Sequence, residues 1–244
     1  MSRRVVQVEP GLLRIEQRLR IPRVEVGTDV SGPACVYAVV EVRRGAVIYQ
    51  HGASRVRAPR RFALFVPPFG IVQASLERCD VTSIAVAFRP LPSDELPWQA
   101  MLLPESGPAP ASRTDALECI RSAAGALNIS RIRDPSPLAA RAKTIIDREY
   151  GAPLEIGGIA ARLRVSPAIL SRTFRHACGM PPVRYRHHVR VMDALMQFAD
   201  GAAPAQVFQD VGFDDLSRFY KIFRKVTCAP PGSYRPARSR IAKT

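Results

Sequence analysis

The spacing of apolar positions changes character part-way along the chain. Up to about residue 90, apolar side chains come in short, β-branched runs: Val36-Tyr37-Ala38-Val39-Val40-Glu41-Val42, then 62–66 and 81–88. Gly32-Pro33, Gly45, Pro67-Pro68 and Gly70 separate these runs, and many short strands at such spacing predict an antiparallel barrel or sandwich. Residues 91–133 open with Pro92, Pro97, Pro104, Pro108 and Pro110, which reads as a linker. A helical stripe of Leu117, Ile120, Ala124 and Leu127 follows Thr114. That stripe fits a helix pairing two subunits, and equally one packed on its own barrel.

From residue 134 onward the period becomes helical. After the break at 133–135, Ser136 as cap and Pro137 at the first helical position start a helix that Gly151 stops. A helix across 154–163, a turn at Arg164-Val165, and a second helix capped by Ser166-Pro167 follow, with Leu170 and Phe174 one turn apart facing inward. The unit recurs: 207–213 precede Asp214 and Asp215, and Phe219 with Phe223 form the second inward pair. Phe174-Arg175 through Pro181-Pro182 to Tyr185-Arg186 is echoed by Phe223-Arg224 through Pro230-Pro231 to Tyr234-Arg235. Between the copies, 183–199 carries the stripe Val189, Met192, Leu195 and Met196 of a rigid connecting helix. In a helix-turn-helix, the outward residues early in the second helix face base edges. Here these are Ala168, Ser171 and Arg172 in the first copy, and Leu216, Ser217, Arg218 and Lys221 in the second. A connecting helix of this length would set the two heads roughly 34 Å, one duplex turn, apart.

Charge agrees with a polyanionic partner. The 244 residues carry a formal charge of +15. From Asp134 onward there are 18 Lys and Arg against 9 Asp and Glu, a balance of +9; residues 1–133 hold 18 against 12, or +6. Such a balance favours duplex DNA or an anionic ligand. The five Cys stand singly at 35, 79, 119, 178 and 228, a set that reads as reduced thiols in a cytoplasm. No apolar run is long enough for a membrane span. Residues 1–133 contain one His, His51, too few for a metal centre, and no Ser/His/Asp set, Walker loop or carboxylate pair stands out. The chain is therefore read as a non-enzyme with no cofactor.

Residues 137–236 resemble the AraC/XylS family of transcription regulators. The motifs that carry the resemblance are Ala160 through Ser166-Pro167 to Phe174, Arg190-Val191-Met192-Asp193-Ala194, Val211-Gly212-Phe213-Asp214-Asp215 through Phe223, and Pro230-Pro231-Gly232-Ser233-Tyr234-Arg235. The resemblance implies sequence-specific DNA binding, usually as an activator touching RNA polymerase, and a cupin-like N-terminal barrel that binds an effector. There are departures. Gly157-Gly158 weakens a helix by about 1 kcal/mol per glycine. Arg164 stands where the family has Gly, and Phe208 where it has Ala.

In the N-terminal half, Arg55, Arg57, Arg60 and Arg61 flank Pro59, and Gln73, Ser75 and Arg78 follow on a later strand. Arg forks with amide and hydroxyl groups suit phosphates and guanine edges. Arg57 and Arg61, with Gln73 and Ser75, resemble the PilZ signature for cyclic di-GMP, although Gln73 replaces Asp or Asn and Arg78 replaces Gly. That resemblance implies a cyclic di-GMP effector.

The resulting expectation is an α+β, multidomain chain. It comprises an N-terminal antiparallel β-barrel, cupin-like, over 1–90, the linker and helix over 91–133, and an all-α tandem helix-turn-helix domain over 134–244. Its function is that of a cytoplasmic, homodimeric regulator controlled by cyclic di-GMP. Two alternatives stay open: a sugar or aromatic metabolite as effector, or a barrel used only for oligomerisation.

Overall fold

The computed structural model describes residues 2–9, 12–51, 54–103, 107–123, 125–129 and 136–234. Pro104, Ala124, the break at 133–135 and Arg235 lie outside the described residues.

The N-terminal half is one antiparallel sheet of nine strands: β1 (Ser2–Glu9), β2 (Leu12–Arg20), β3 (Val24–Val30), β4 (Cys35–His51), β5 (Ser54–Arg57), β6 (Arg61–Val66), β7 (Ile71–Phe88), β8 (Met101–Leu103) and β9 (Leu127–Asn128). The pairing order is β1-β2-β7-β4-β6-β8-β9, with β3 on β7 and β5 on β4. Among the described residues the sheet is not closed into the expected barrel. The sheet stays open, with β1 and β9 at the ends of the pairing path, and helices of the other domain cover its hollow.

Two long strands explain the shape. β4 and β7 pair from Cys35↔Phe88 to Gln50↔Gln73, with register shifts between Val42, Arg44 and Ala46. Gly45 at φ +83 and Arg78 at φ +48 occupy that bulge. A Cβ on Gly45 would lie 2.3 Å from the Glu77 carbonyl oxygen, so only glycine fits. The extra residue bends both strands and changes which parity faces the hollow. Beyond the bulge, Val72, Ala74 and Leu76 line the concave side; before it, Val81, Ser83 and Ala85 do.

The proline-rich stretch is not a free linker. β8 pairs with β6 and β9 with β8, and Ala100, Leu102, Leu103 and Ile129 are buried. Helix α1 (Arg113–Arg121) is closed by a capping box between Ser112 and Asp115. Its stripe of Ala116, Leu117 and Ile120 packs on Tyr37, Phe65, Val86 and Phe88 of the convex sheet face. Leu117 and Ile120 of the expected stripe are therefore spent on their own sheet, whereas the helix ends at Arg121 and Leu127 lies exposed on β9.

The C-terminal half contains α2 (Pro137–Glu149), α3 (Ile156–Arg162), α4 (Pro167–Cys178), α5 (Pro182–Ala199), α6 (Pro204–Asp210) and α7 (Leu216–Thr227), then a 3₁₀ turn at Pro231–Tyr234. Ser136 and Ser166 cap α2 and α4 through the amides of Ala139 and Ile169, and Asp215 caps α7 through that of Arg218. Two aromatic-rich cores result. Leu170, Phe174 and Tyr185 anchor the first unit, while Phe198, Phe213, Phe219, Phe223 and Tyr234 anchor the second. Each fully buried Phe contributes about 1.5–3 kcal/mol of apolar transfer free energy.

The halves share these cores. Leu13, Ala34 and Ala87 of the sheet region join the second, and Val30 with Ile71 joins the first.

Candidate functional site

Local chemistry presents the fronts of α4 and α7. In each, an apolar pair one turn apart buries one face, so the opposite face of the first turns meets solvent. Ala168 and Arg172 are exposed on α4, and Ser171 is half-buried. Leu216, Ser217, Arg218 and Lys221 are all exposed on α7. Ala168, Ser171 and Arg172 border an open groove of about 630 Å³ together with Arg175, His176 and Pro181. Arg175, His176, Tyr220, Arg224 and Lys225 extend these outward faces. Sequence reading missed them because it stopped at the first turns, although their period marks the same faces.

The connecting helix α5, with 18 residues, is about 27 Å long. It carries polar groups into the core, among them Arg190 and Asp193, which are hydrogen-bonded there. The Arg190 guanidinium donates to the carbonyls of Tyr150 (2.6 Å) and Ala152 (3.0 Å) and lies 5.3 Å over the Phe213 ring. Burial, then the charge of Arg186, lowers its pKa to about 10. A Cβ on Gly212, at φ +90, would meet the Gly151 carbonyl oxygen at 2.2 Å, so the second unit's turn docks backbone to backbone on the loop after α2. The two helix-turn-helix units are thus fastened through Arg190 and Gly212. At the first unit's turn, Arg164 takes φ +56, the left-handed conformation glycine adopts without strain. Phe208 is half-buried against the second core.

Arg186 donates to the Leu154 carbonyl through Nη1, while its buried Nε has no partner among the described residues. Burial lowers its pKa, and Arg218 on α7 adds to the effect.

A cavity of about 320 Å³ lies between the concave sheet face and the helical domain. Leu64, Val66, Val72 and Leu76 form its sheet wall, while His188, Met192 and Leu195 of α5 and Tyr234 form the helical one. Asp29, Ser31 and Tyr49 are among its polar groups. Burial, then the charge of Arg184, pushes His188 down to about 4, so it is neutral at neutral pH. None of this was anticipated from the sequence.

The basic cluster of the N-terminal half sits elsewhere. Cross-strand register puts Arg55, Gln50 and Gln73 in one row, and Arg57, Ile48 and Ser75 in the next. Side chains directly opposite share a face, and it is the convex face. Arg61 lies opposite Glu41, across the bulge from those rows, and donates to the Gly107 carbonyl at 3.3 Å. Arg60 reaches the Arg43 carbonyl at 3.4 Å, Arg55 pairs with Glu77 at 3.5 Å, and Arg78 occupies the bulge. None of these seven residues lines the cavity.

Residues 159–237 match the model of a helix-turn-helix domain family. The chain is 31% identical over 107 residues to the arabinose operon regulatory protein of Salmonella typhimurium, covering 43% of this chain and 36% of that one. With the arabinose operon regulatory protein of Escherichia coli it shares 32% identity over 92 residues, 37% of this chain and 32% of the other. It thus spans about a third of the length of the curated relatives it matches. The crystal structure of ToxT from Vibrio cholerae superposes with a TM-score of 0.51 at 9% identity, covering 92% of this chain and 97% of ToxT, a likeness of fold. No helix among the described residues is long and apolar enough to cross a membrane. Residues 159–237 accordingly belong to a helix-turn-helix domain, similar to part of the arabinose operon regulatory proteins, and follow an antiparallel sheet domain.

Proposed function

We propose that the protein is a transcription regulator that grips duplex DNA with α4 and α7 and responds to a small molecule held between its sheet and α5. One observation carries this reading: α5 bears both helix-turn-helix units and also forms a wall of the cavity. A ligand pressing on Met192 and Leu195 acts on the element that fixes the relative placement of the reading heads. Arg172, Ser171 and Ala168 on α4, with Ser217, Arg218, Lys221 and Leu216 on α7, are the residues offered to the major groove. On this reading the protein activates transcription through RNA polymerase, as a homodimer in the cytoplasm.

A second effector reading is favoured by register. Arg55, Arg57, Gln73 and Ser75 share one convex face within three adjacent strands, which supports surface capture of cyclic di-GMP there. Arg61 lies across the bulge and outside that group. The cavity is favoured because it touches α5, whereas the convex rows do not line it.

Selection of binding sites from random duplexes, followed by titration of the selected duplex at several salt concentrations, tests the DNA reading. Sequence preference lost on substituting Arg172 and Arg218 is the expected result. Recovery of no preferred sequence by the intact protein would sink it. Titrating cyclic di-GMP against wild type and Arg57→Ala decides the second effector reading.

A further inference from the structure

Strand β3 runs against its own hydrophobic pattern. Val24 and Val26 point outward, 60% and 64% exposed, while Asp29 faces the hollow opposite Val72. A one-residue slip would bury the valines and release the acid. The chain instead turns an acid towards the hollow, where it stays solvent-exposed. An inward charge on an edge strand discourages pairing with another sheet edge, but that does not explain why this one sits at the cavity.

Among the described residues Asp29 is the one acidic side chain lining the cavity, and neither Lys nor Arg lines it. The Asp29 side chain lines the cavity and remains solvent-exposed. Among the described residues no hydrogen bond or ion pair reaches its carboxyl, and burial pushes its pKa up. Tyr49 is close enough for the Asp29 charge to push its hydroxyl pKa up further, beyond the effect of burial. Most of the other residues facing the cavity are apolar; Gln17, Ser31, Tyr49, Ser83, His188, Thr227 and Tyr234 supply the remaining polar groups.

A lone carboxylate in a largely apolar lining without Lys or Arg attracts a cation more strongly than it would in bulk water. A second anion placed beside it meets repulsion with no compensating base, because the buried His188 is neutral. The volume, about 320 Å³, is at the small end of the roughly 300–1,000 Å³ of small-molecule sites.

We propose that the cavity takes a small organic cation, an alkyl or aryl amine, whose ammonium docks on Asp29 beside Tyr49 and whose apolar body lies against Leu64, Val72, Met192 and Leu195. The assignment rests on reading the cavity as the effector site. Specificity follows from geometry: the charge is read by the sheet and the body by α5, so only a molecule spanning both reports to the DNA-binding heads.

The test uses the full chain and three near-isosteric probes: 2-phenylethylamine, 2-phenylethanol and 3-phenylpropanoate. Calorimetric titration is expected to show the amine binding at least about tenfold tighter than the other two, a gap of about 1.4 kcal/mol. Asp29→Asn should erase that preference while leaving binding of the alcohol within about twofold. Ala38→Leu, which fills the void from the sheet wall, should weaken all three alike and so places the site. Equal or tighter binding of the carboxylate, or a preference for the amine that survives Asp29→Asn, overturns the amine assignment but keeps the cavity as a ligand site. Binding of all three unaffected by Ala38→Leu, or binding of none, overturns the cavity reading itself.

Discussion

Arg89, one residue beyond the last sheet strand of the long β4–β7 pair, donates to the Asp193 carboxylate in the middle of α5 at 2.5 Å. Asp193 is only 8% exposed and also accepts from the Tyr150 hydroxyl at 3.1 Å and from Gln197 at 3.3 Å. One buried carboxylate therefore ties the sheet domain, the loop after α2 and the connecting helix together. Removing one partner of such a pair leaves a buried charge short of compensation. Arg89→Ala should lower unfolding free energy by about 1–3 kcal/mol, tempered because Arg89 is partly exposed. Denaturant melts followed separately by DNA-domain and sheet-domain probes should cease to coincide.

Arg172→Ala, Arg218→Ala and Lys221→Ala should each weaken binding to the selected duplex by about 1–3 kcal/mol where the side chain reads a base. A phosphate contact instead weakens all sequences alike and reduces the salt slope by about one. Anisotropy titrations at several salt concentrations separate the two outcomes for each residue.

Glycines in the helical domain should divide by surroundings. A Cβ on Gly157 or Gly158 meets nothing within 4 Å, so each to Ala should stabilise α3 by about 0.5–1 kcal/mol. Gly212→Ala should do the reverse, because its Cβ would strike the Gly151 carbonyl at 2.2 Å from a left-handed backbone. Thermal melts of the three variants should shift in opposite directions, and unchanged melting for Gly212→Ala contradicts the packing described.

Arg164 holds φ +56 at the first unit's turn. A non-glycine residue there costs about 1–2 kcal/mol, partly offset by the chain entropy of glycine, about 0.5–1 kcal/mol. Arg164→Gly should therefore raise stability by about 0.5–1 kcal/mol in chemical denaturation.

Acid should destabilise the fold through His188, whose pKa falls from 6.5 to about 4 on folding. A depressed His pKa means the unfolded chain binds the extra proton, so stability falls as pH drops from 6.5 towards 4 and levels off below. The loss reaches on the order of 3 kcal/mol. Asp29 and Asp147, both raised by burial, act in the opposite sense, losing stability as pH rises above 3.8. Denaturant melts of wild type and His188→Gln across that window should show a shallower acid slope in the variant.

The sequence by itself determined the helical domain, because helix information is local. Ser136-Pro137 and Ser166-Pro167 start α2 and α4 where their caps predict, and Leu170 with Phe174 and Phe219 with Phe223 are buried as their one-turn spacing requires. Strands declared themselves by composition, but their faces did not. Period two says that residues 73 and 75 share a face; the bulge at Gly45 and Arg78, and the helices capping the hollow, decide that 72, 74 and 76 are the ones looking in. The Pro-rich stretch joined the sheet because β8 found an edge on β6, a pairing invisible to local propensity. Arg89 and Asp193 are 104 positions apart, and Asp29 meets α5 only once the domains close on each other. Tertiary structure alone decided these, since a long-range contact depends on where bent strands carry their residues and not on the residues' neighbours in the chain.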